Sequence, residues 1–194
     1  MINKNNYEWF LNISAYLLLI TVSLLLPIFS FSTYSILSNT TSHLGAQGSP
    51  NAWIMNVTFI ILGLNTTRVL FKIKMPYIQI TGTVFGVSLM VTGVFQHASF
   101  ITNYNTSIWQ DQLHSLFATT TGIAFIALSF GYAFIGKERL RYTGIILGVL
   151  ATALSISMGL LPDYMGIFQR IMFYLSFFWI YFIIHPNSKK GQTN

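Results

Sequence analysis

Asp111 and His114 are the pair of residues in this chain whose types and spacing are best suited to chemistry. They are three positions apart, so they share one face if the segment is helical. A carboxylate at that spacing orients an imidazole, or the two side chains bind one metal ion. A carboxylate in the first turn of a helix beside an interfacial histidine gives the same pattern without a metal, and this second interpretation is favoured.

Zinc is the metal that such residues would hold. The candidate ligands are His97, Asp111 and His114, with Ser42 or His43 contributed by a loop. Zinc lowers the pKa of bound water to about 7, which permits hydrolysis at neutral pH. Neither H-E-x-x-H nor H-x-x-x-H occurs, and without cysteine the chain has neither a thiolate ligand nor a disulfide. We therefore expect no cofactor, with zinc as the alternative.

The amino-acid composition indicates the class of protein, and therefore the kind of secondary structure, that positions these residues. Of 194 residues, 53% are hydrophobic and only 7% are charged. A soluble domain carries about 25% charged residues, so this chain has too few to cover a surface in water. This excludes a soluble globular enzyme, a nucleic-acid-binding module and a disordered protein. The chain is predicted to be an all-α, polytopic membrane protein.

Six stretches are long and apolar enough to cross a bilayer, which takes roughly 20 residues of helix. Backbone groups in lipid must be satisfied within the segment, so each stretch is predicted to be helical. We expect residues 1–194 to form a single transmembrane domain, a bundle of six helices. The predicted helices are residues 9–31, 52–71, 77–96, 112–135, 143–161 and 167–185.

The basic residues predict the orientation of this bundle. Nine of the ten fall on one side, namely Lys4, Arg68, Lys72, Lys74, Lys137, Arg139, Arg141, Lys189 and Lys190. The positive-inside rule places that side, and with it both termini, in the cytoplasm. The net charge of +6 is thereby explained without a nucleic-acid partner. The partner that we expect is the lipid bilayer, and the sequence gives no oligomeric state.

The candidate site residues fall on the opposite, outer side and predict an outward-facing polar pocket. They are Ser42, His43, Asn51, Asn56, His97, Asp111, His114 and Arg170. An ionisable group inside a membrane costs roughly 2.5 kcal/mol or more unless it is paired or reaches water. Arg170, the one basic residue on this side, is expected to pair with Asp111, Asp163 or loop carbonyls and so to clamp the last helix.

Several short motifs follow one another along the chain in a distinctive order. They are Ser42-His43-Leu44-Gly45, Pro50-Asn51-Ala52-Trp53 with Asn56, Gly93-Val94-Phe95, His114, and Gly166 with Gln169-Arg170. This order resembles DUF998, a family of six-helix prokaryotic membrane proteins of unknown function. The chain departs from the family pattern at Gln96, where a proline is usual. The resemblance implies the six-helix topology and a prokaryotic cell membrane, and it picks out Ser42, Asn51, Asn56, His114 and Arg170. It implies no reaction.

The function predicted from these residues is non-enzymatic. The polar cluster lacks a recognisable catalytic geometry, and no G-x-S-x-G motif is present. We expect a binding, transport or accessory role, with a lipid or a small polar molecule as ligand. The alternative is a metal-dependent membrane hydrolase that uses the outer His and Asp residues on a lipid head group or an amide.

Overall fold

The computed structural model describes residues 4–101, 104–136 and 138–184. In these ranges the chain is helical and contains no strand, which confirms the predicted all-α class. Six of the described helical segments are long and apolar enough to cross a membrane, and the last of them, Pro162–Ile183, includes the turns on either side of α7. The helices are α1 (Lys4–Leu25), α2 (Thr41–Leu44), α3 (Ala52–Phe71), α4 (Pro76–Val94), α5 (Ile108–Ile135), α6 (Glu138–Leu160) and α7 (Met165–Phe178).

The predicted boundaries are close to the observed ones. The helix predicted at residues 52–71 is α3 without a shift, whereas α5 begins four residues before its predicted start at 112. The first span is predicted to continue to 31, but α1 ends at Leu25 and continues as a 3₁₀ turn, Leu26–Phe29. Pro27 lies at the start of that turn, where its missing N–H is tolerated. The last predicted span ends at residue 185, which lies outside the described residues.

The long helices pack in chain order around a common interior. Helices α3 to α7 each contact the next one along the chain, and α1 closes the ring by contacting both α3 and α7. We call the end of the bundle formed by residues 30–51, 95–101, 104–107 and 161–164 the loop end. The opposite end, which carries the α3–α4 and α5–α6 junctions, is the basic end.

Helices α3 and α4 approach each other closely because both carry glycine at the contact. A Cβ on Gly63 would collide with the backbone of Gly86, and a Cβ on Gly86 would collide with Gly63 and Thr67. Small residues at such a contact let two membrane helices pack backbone against backbone. This contact fixes α4, and with it one wall of the bundle interior.

A polar network holds the basic end together. The Arg68 guanidinium on α3 is paired with the Glu8 carboxylate on α1 and donates hydrogen bonds to Asn12 at 2.8 Å and Asn65 at 2.7 Å. Asn12, which is fully buried, in turn donates to the Tyr181 carbonyl at 3.1 Å. From the sequence, Arg68 is predicted only to orient the bundle. In the structure it also joins α1, α3 and the end of α7.

The end of α7 departs from regular helix geometry. Residues Trp179–Ile183 form a π-helical turn, in which the Ile184 N–H donates to the Trp179 carbonyl. The Trp179 side chain is 2% exposed, and its indole N–H donates to the Thr143 hydroxyl on α6 at 2.9 Å. This bond gives the buried indole a partner and attaches α6 to α7.

The long first loop folds back over the end of the bundle. It contains α2, and every residue from Thr41 to Gln47 is buried. Gln47 fastens it to the next loop: its amide donates to the Ser107 carbonyl at 3.1 Å and accepts from the Ser107 N–H at 2.7 Å. The loop is therefore an ordered cap on the loop end.

Candidate functional site

A cavity of about 400 Å³ lies inside the loop-end half of the bundle. Its walls come from α3, α4, α5, α6 and α7, and apolar side chains form most of them. The lining residues are Ser42, Phe59, Phe85, Leu89, Thr92, Ala118, Thr119, Thr121, Gly122, Ile123, Phe125, Ile126, Ser155, Met158, Gln169, Met172, Phe173 and Ser176. On α7 the lining runs from Gln169 to Ser176, eight residues whose Cα atoms span about 10 Å along the helix axis.

The cavity reaches the outside of the bundle on the α5 side. Ile123 lines it and is also 63% exposed, and Thr119, one turn earlier on α5, is exposed as well. At Gly122, between them, an added Cβ would have no neighbour within 4 Å. The opening therefore lies beside α5, on a surface that faces lipid in a membrane.

Polar groups are concentrated where α2 meets α7. The Gln169 side-chain oxygen accepts two hydrogen bonds from Thr41, one from its N–H at 2.8 Å and one from its hydroxyl at 2.7 Å. Ser42, the next residue, is 7% exposed and lines the cavity. Among the described residues, neither the Ser42 hydroxyl nor the Gln169 amide nitrogen has a hydrogen-bond partner. Both are free to bind a molecule in the cavity.

Arg170 clamps α7 to the first loop, and loop carbonyls are its partners, as one of the sequence-based alternatives predicted. It donates to the carbonyls of Ile36, Asn39 and Gly166 at 2.9–3.0 Å and to the Tyr34 hydroxyl at 2.6 Å. The side chain is 3% exposed, so it does not extend to the surface. In the described part of the chain no carboxylate pairs with it. The expected alternative partners, Asp111 and Asp163, are therefore not used.

Three histidines and Phe100 form an aromatic cluster beside this clamp. The His97 ring lies 5.0 Å from the His43 ring and 5.3 Å from the His114 ring, and it stacks on Phe100. His114 is 1% exposed, and its Nδ1 donates to the carbonyls of Thr92 at 3.0 Å and Phe95 at 2.8 Å. That role leaves its buried Nε2 as an acceptor without a partner among the described residues.

His43 has a structural role at the start of α2. Its Nδ1 accepts from the Thr40 N–H at 3.1 Å, which is the bond that a Glu or Gln makes at this position of a capping box. Burial, and after it the neighbouring His97, His114 and Arg170, together lower the pKa of His43 to about 3. His43 is therefore neutral at physiological pH.

The predicted zinc ligands lie close together, but the backbone already binds Asp111 and the Nδ1 atoms of His43 and His114. His97 Nδ1 lies 3.7 Å from Asp111 Oδ1, and that oxygen accepts the Ala98 N–H at 2.7 Å. Asp111 thus holds the 95–98 segment against the first turn of α5. Within the described residues, no group of three or more His, Asp or Glu side chains is arranged to hold a metal ion. The zinc alternative gains no support from this geometry.

The two asparagines picked out by the resemblance lie in different environments. Asn56 is 8% exposed and donates to the Gly45 carbonyl at 3.1 Å. A Cβ on Gly45 would collide with the Asn56 side chain, so the glycine is needed for this contact. Asn51 is exposed at the N-cap of α3 with a φ of 57°, and its side chain makes no capping bond. Asn tolerates this left-handed conformation better than most residues.

The structure places the candidate residues at the loop end of the bundle, and their role in binding stays a prediction; they are Ser42, His43, Asn51, Asn56, His97, Asp111, His114 and Arg170. Gln169 was not among the candidate residues, although it holds the loop at the cavity. Nor did any pattern indicate the apolar cavity, because its walls come from single residues on five helices. A polar residue next to Arg170 at the start of the last helix was the only available signal.

Comparison with known proteins adds a family but no function. No curated protein and no solved structure matches the chain. One family model does match, described as "Protein of unknown function (DUF998)", and it covers residues 14–185, which is most of the chain. The resemblance seen in the motifs is thereby confirmed, and the chain belongs to the DUF998 family of membrane proteins.

Proposed function

We propose that this protein binds a single-chain amphipathic molecule within the membrane. The apolar chain lies in the cavity between α3 and α7, and the polar group lies at Ser42 and Gln169. The observation that carries this proposal is a mostly apolar cavity that Ser42 and Gln169 line with polar groups that have no partner among the described residues. Among the roles expected from the sequence, binding is the one with direct geometric support.

The size and lining of the cavity suit such a ligand. Small-molecule sites are commonly about 300–1,000 Å³ and mostly apolar, with a few polar groups that orient the ligand. This cavity, at about 400 Å³, lies in that range. Phe59, Phe85 and Phe173 contribute flat apolar surface to its walls, and these surfaces suit a chain better than a polar solute.

The position of the opening supports access from the membrane rather than from water. Ile123 and Thr119 are exposed on α5, and this helix is apolar and long enough to span the bilayer. The first loop, by contrast, covers the loop end with buried residues. A molecule dissolved in lipid reaches the cavity past α5 without crossing that cap.

The proposal also includes the orientation of the bundle in the membrane. Nine of the ten basic residues lie on the side of the predicted cytoplasmic junctions. We infer that the basic end and both termini are cytoplasmic, that the loop end is external, and that the cavity lies at the depth of the outer leaflet. The membrane is the cell membrane of a prokaryote.

Trp179 provides a way to test the proposal. It is 2% exposed, and its ring lies 6.2 Å from the ring of Phe125, which lines the cavity. Replacing Trp9, Trp53 and Trp109 by Phe leaves it as the sole tryptophan. The protein is placed in nanodiscs and titrated with ω-bromoundecanoate and ω-bromoundecanol, whose bromine quenches tryptophan at short range.

A pair of glycine variants distinguishes binding of the probe inside the cavity from contact of the probe with the lipid-facing surface. Gly122→Phe fills the cavity, whereas Gly159→Phe adds the same ring to exposed α6 outside it; neither added Cβ meets a neighbour within 4 Å. We expect at least one probe to quench Trp179 saturably in the parent and in Gly159→Phe. In Gly122→Phe its affinity falls at least about tenfold, or about 1.4 kcal/mol. Equal quenching in all three proteins overturns the proposal.

A further inference from the structure

We propose that the head group of the bound molecule is an anion, a carboxylate or a phosphate monoester. This inference rests on the proposed function and names the class of ligand. It is carried by a buried arginine without a carboxylate partner and by hydrogen-bond donors at the polar end of the cavity.

Arg170 gives this end of the bundle an uncompensated positive charge. Its guanidinium is 3% exposed, and the groups that it contacts are carbonyls and the Tyr34 hydroxyl. Burial raises the pKa of Tyr34, so this hydroxyl remains neutral and does not balance the charge. Charges in an interior of low dielectric act over longer distances than charges in water. The field of Arg170 therefore extends to the neighbouring polar groups.

The acidic residues of the loop end do not cancel this field. Asp111 lies beside His97 at 3.7 Å and is committed to the Ala98 N–H, and Asp163 is exposed on the outside of the bundle. No Asp or Glu is among the residues that line the cavity. The net charge that a bound head group meets is therefore positive.

The polar groups at this end of the cavity are hydrogen-bond donors, which suit an anionic head group. Both Thr41 bonds fall on the Gln169 side-chain oxygen, so the part of this amide that is left for a ligand is its NH₂, which only donates. The Ser42 hydroxyl is a second donor, 7% exposed and facing the cavity. Arg170 and Gln169 are neighbours on α7, and they bond to Asn39 and Thr41 of the first loop, the segment that also carries Ser42, so the charge and the two donors lie at the same junction of α7 and this loop.

A carboxylate and a phosphate monoester share the chemistry that these groups recognise. Each presents negatively charged oxygens that accept hydrogen bonds, and charge-assisted bonds are roughly twice as strong as neutral ones. An alcohol of the same chain length fills the same cavity but brings no charge. Comparison of these head groups on one chain therefore separates recognition of the anion from burial of the chain.

The test uses the Trp179 quenching assay with three probes: ω-bromoundecanoate, ω-bromoundecyl phosphate and ω-bromoundecanol. At pH 8 we expect at least one anion to bind at least about tenfold more tightly than the alcohol. The order of the two anions then assigns the head group as carboxylate or phosphate. Equal affinity for all three probes overturns this inference and leaves the binding function intact, whereas loss of saturable quenching by all three overturns both.

Gln169→Glu provides the matched variant. The Glu side chain keeps an oxygen that accepts both Thr41 bonds, so the loop stays attached, but the NH₂ donor becomes a negatively charged oxygen. We expect the anions to lose at least about tenfold in affinity and the alcohol to be unchanged. A variant that binds anions as the parent does contradicts the inference. Arg170→Gln is the weaker test, because it also removes the clamp.

Discussion

The side-chain oxygen of Gln169 accepts both the N–H and the hydroxyl of Thr41, at 2.8 and 2.7 Å. These two hydrogen bonds to one atom fix the first loop on α7 and leave the amide nitrogen of Gln169, which lines the cavity, without a partner among the described residues. One residue of α7 therefore joins the cap to the cavity.

Thr41→Val removes the shorter of these two bonds and nearly preserves the shape of the side chain. The Thr41 N–H remains as a donor, so the loop stays attached by one bond. We expect the free energy of unfolding to fall by about 1 kcal/mol, the usual net value of such a bond. Thermal unfolding in detergent measures this change. Thr120→Val, at an exposed hydroxyl that bonds within its own helix, is the control and should melt close to the parent.

Replacement of Arg170 tests the clamp. Both Arg170→Gln and Arg170→Lys lose the fork that binds Ile36, Asn39 and Gly166 together. Polar groups such as the partly buried Ile36 carbonyl then lose their donor, whereas the Asn39 carbonyl keeps the Tyr34 hydroxyl. Each such group costs about 1–3 kcal/mol, so both variants should melt well below the parent. Melting of both variants at the parental temperature would show that Arg170 is not a structural clamp.

Arg170 also shows which part of the site can be predicted from the sequence. A lone basic residue on the side that carries no other Lys or Arg predicts a buried partner, and loop carbonyls are among the expected partners. Asp111 and His114 mark the limit: their spacing predicts a shared face, yet it does not predict that His114 turns to the carbonyls of Thr92 and Phe95. Those acceptors belong to the end of another helix, and only the packing of α4 against α5 brings them there.

The apolar cavity could not be predicted from the sequence, again because it depends on how the helices pack. Hydrophobic spans are recognised by length and composition, which is why α3 is predicted without a shift at 52–71. A gap between helices, by contrast, depends on which residues face one another after packing. Gly122 and Ser176 line the cavity, but in the sequence each is one small residue among many in an apolar helix.

Acidification should destabilise the cap through His43. Its pKa is about 3 in the folded protein and 6.5 when unperturbed, so below pH 6.5 the unfolded chain binds a proton that the folded chain does not. The stabilisation is complete above pH 6.5 and is lost progressively as the pH falls toward 3, with a slope of up to about 1.4 kcal/mol per unit.

His43→Gln isolates this contribution. Gln keeps an acceptor for the Thr40 N–H, so the capping box survives, but it does not titrate. Between pH 7.5 and 5.5 the variant should lose less stability than the parent, because only the parent has a titratable side chain at position 43. If acidification lowers the melting temperature of both proteins by the same amount, the pH dependence does not come from His43.

Asn12→Leu tests the network at the basic end. The change leaves the Tyr181 carbonyl and the Asn65 amide without their buried partner and should cost about 2 kcal/mol or more. Lys72→Gln is the comparison: Lys72 also pairs with Glu8, but its side chain is 38% exposed, and exposed pairs contribute about 1 kcal/mol at most. Equal melting shifts in the two variants would argue against a network centred on Asn12.

The most direct measurement of the central claim is the position at which a bound chain touches the protein. A single-chain carboxylate with a terminal diazirine is photolysed with the protein in nanodiscs, and the labelled residues are identified by peptide mass spectrometry. The account predicts labels on the lining residues Met158, Met172 and Phe173, and their loss in Gly122→Phe. Labels confined to exposed residues outside the cavity, such as Ile156, Leu160 and Phe178, would contradict it.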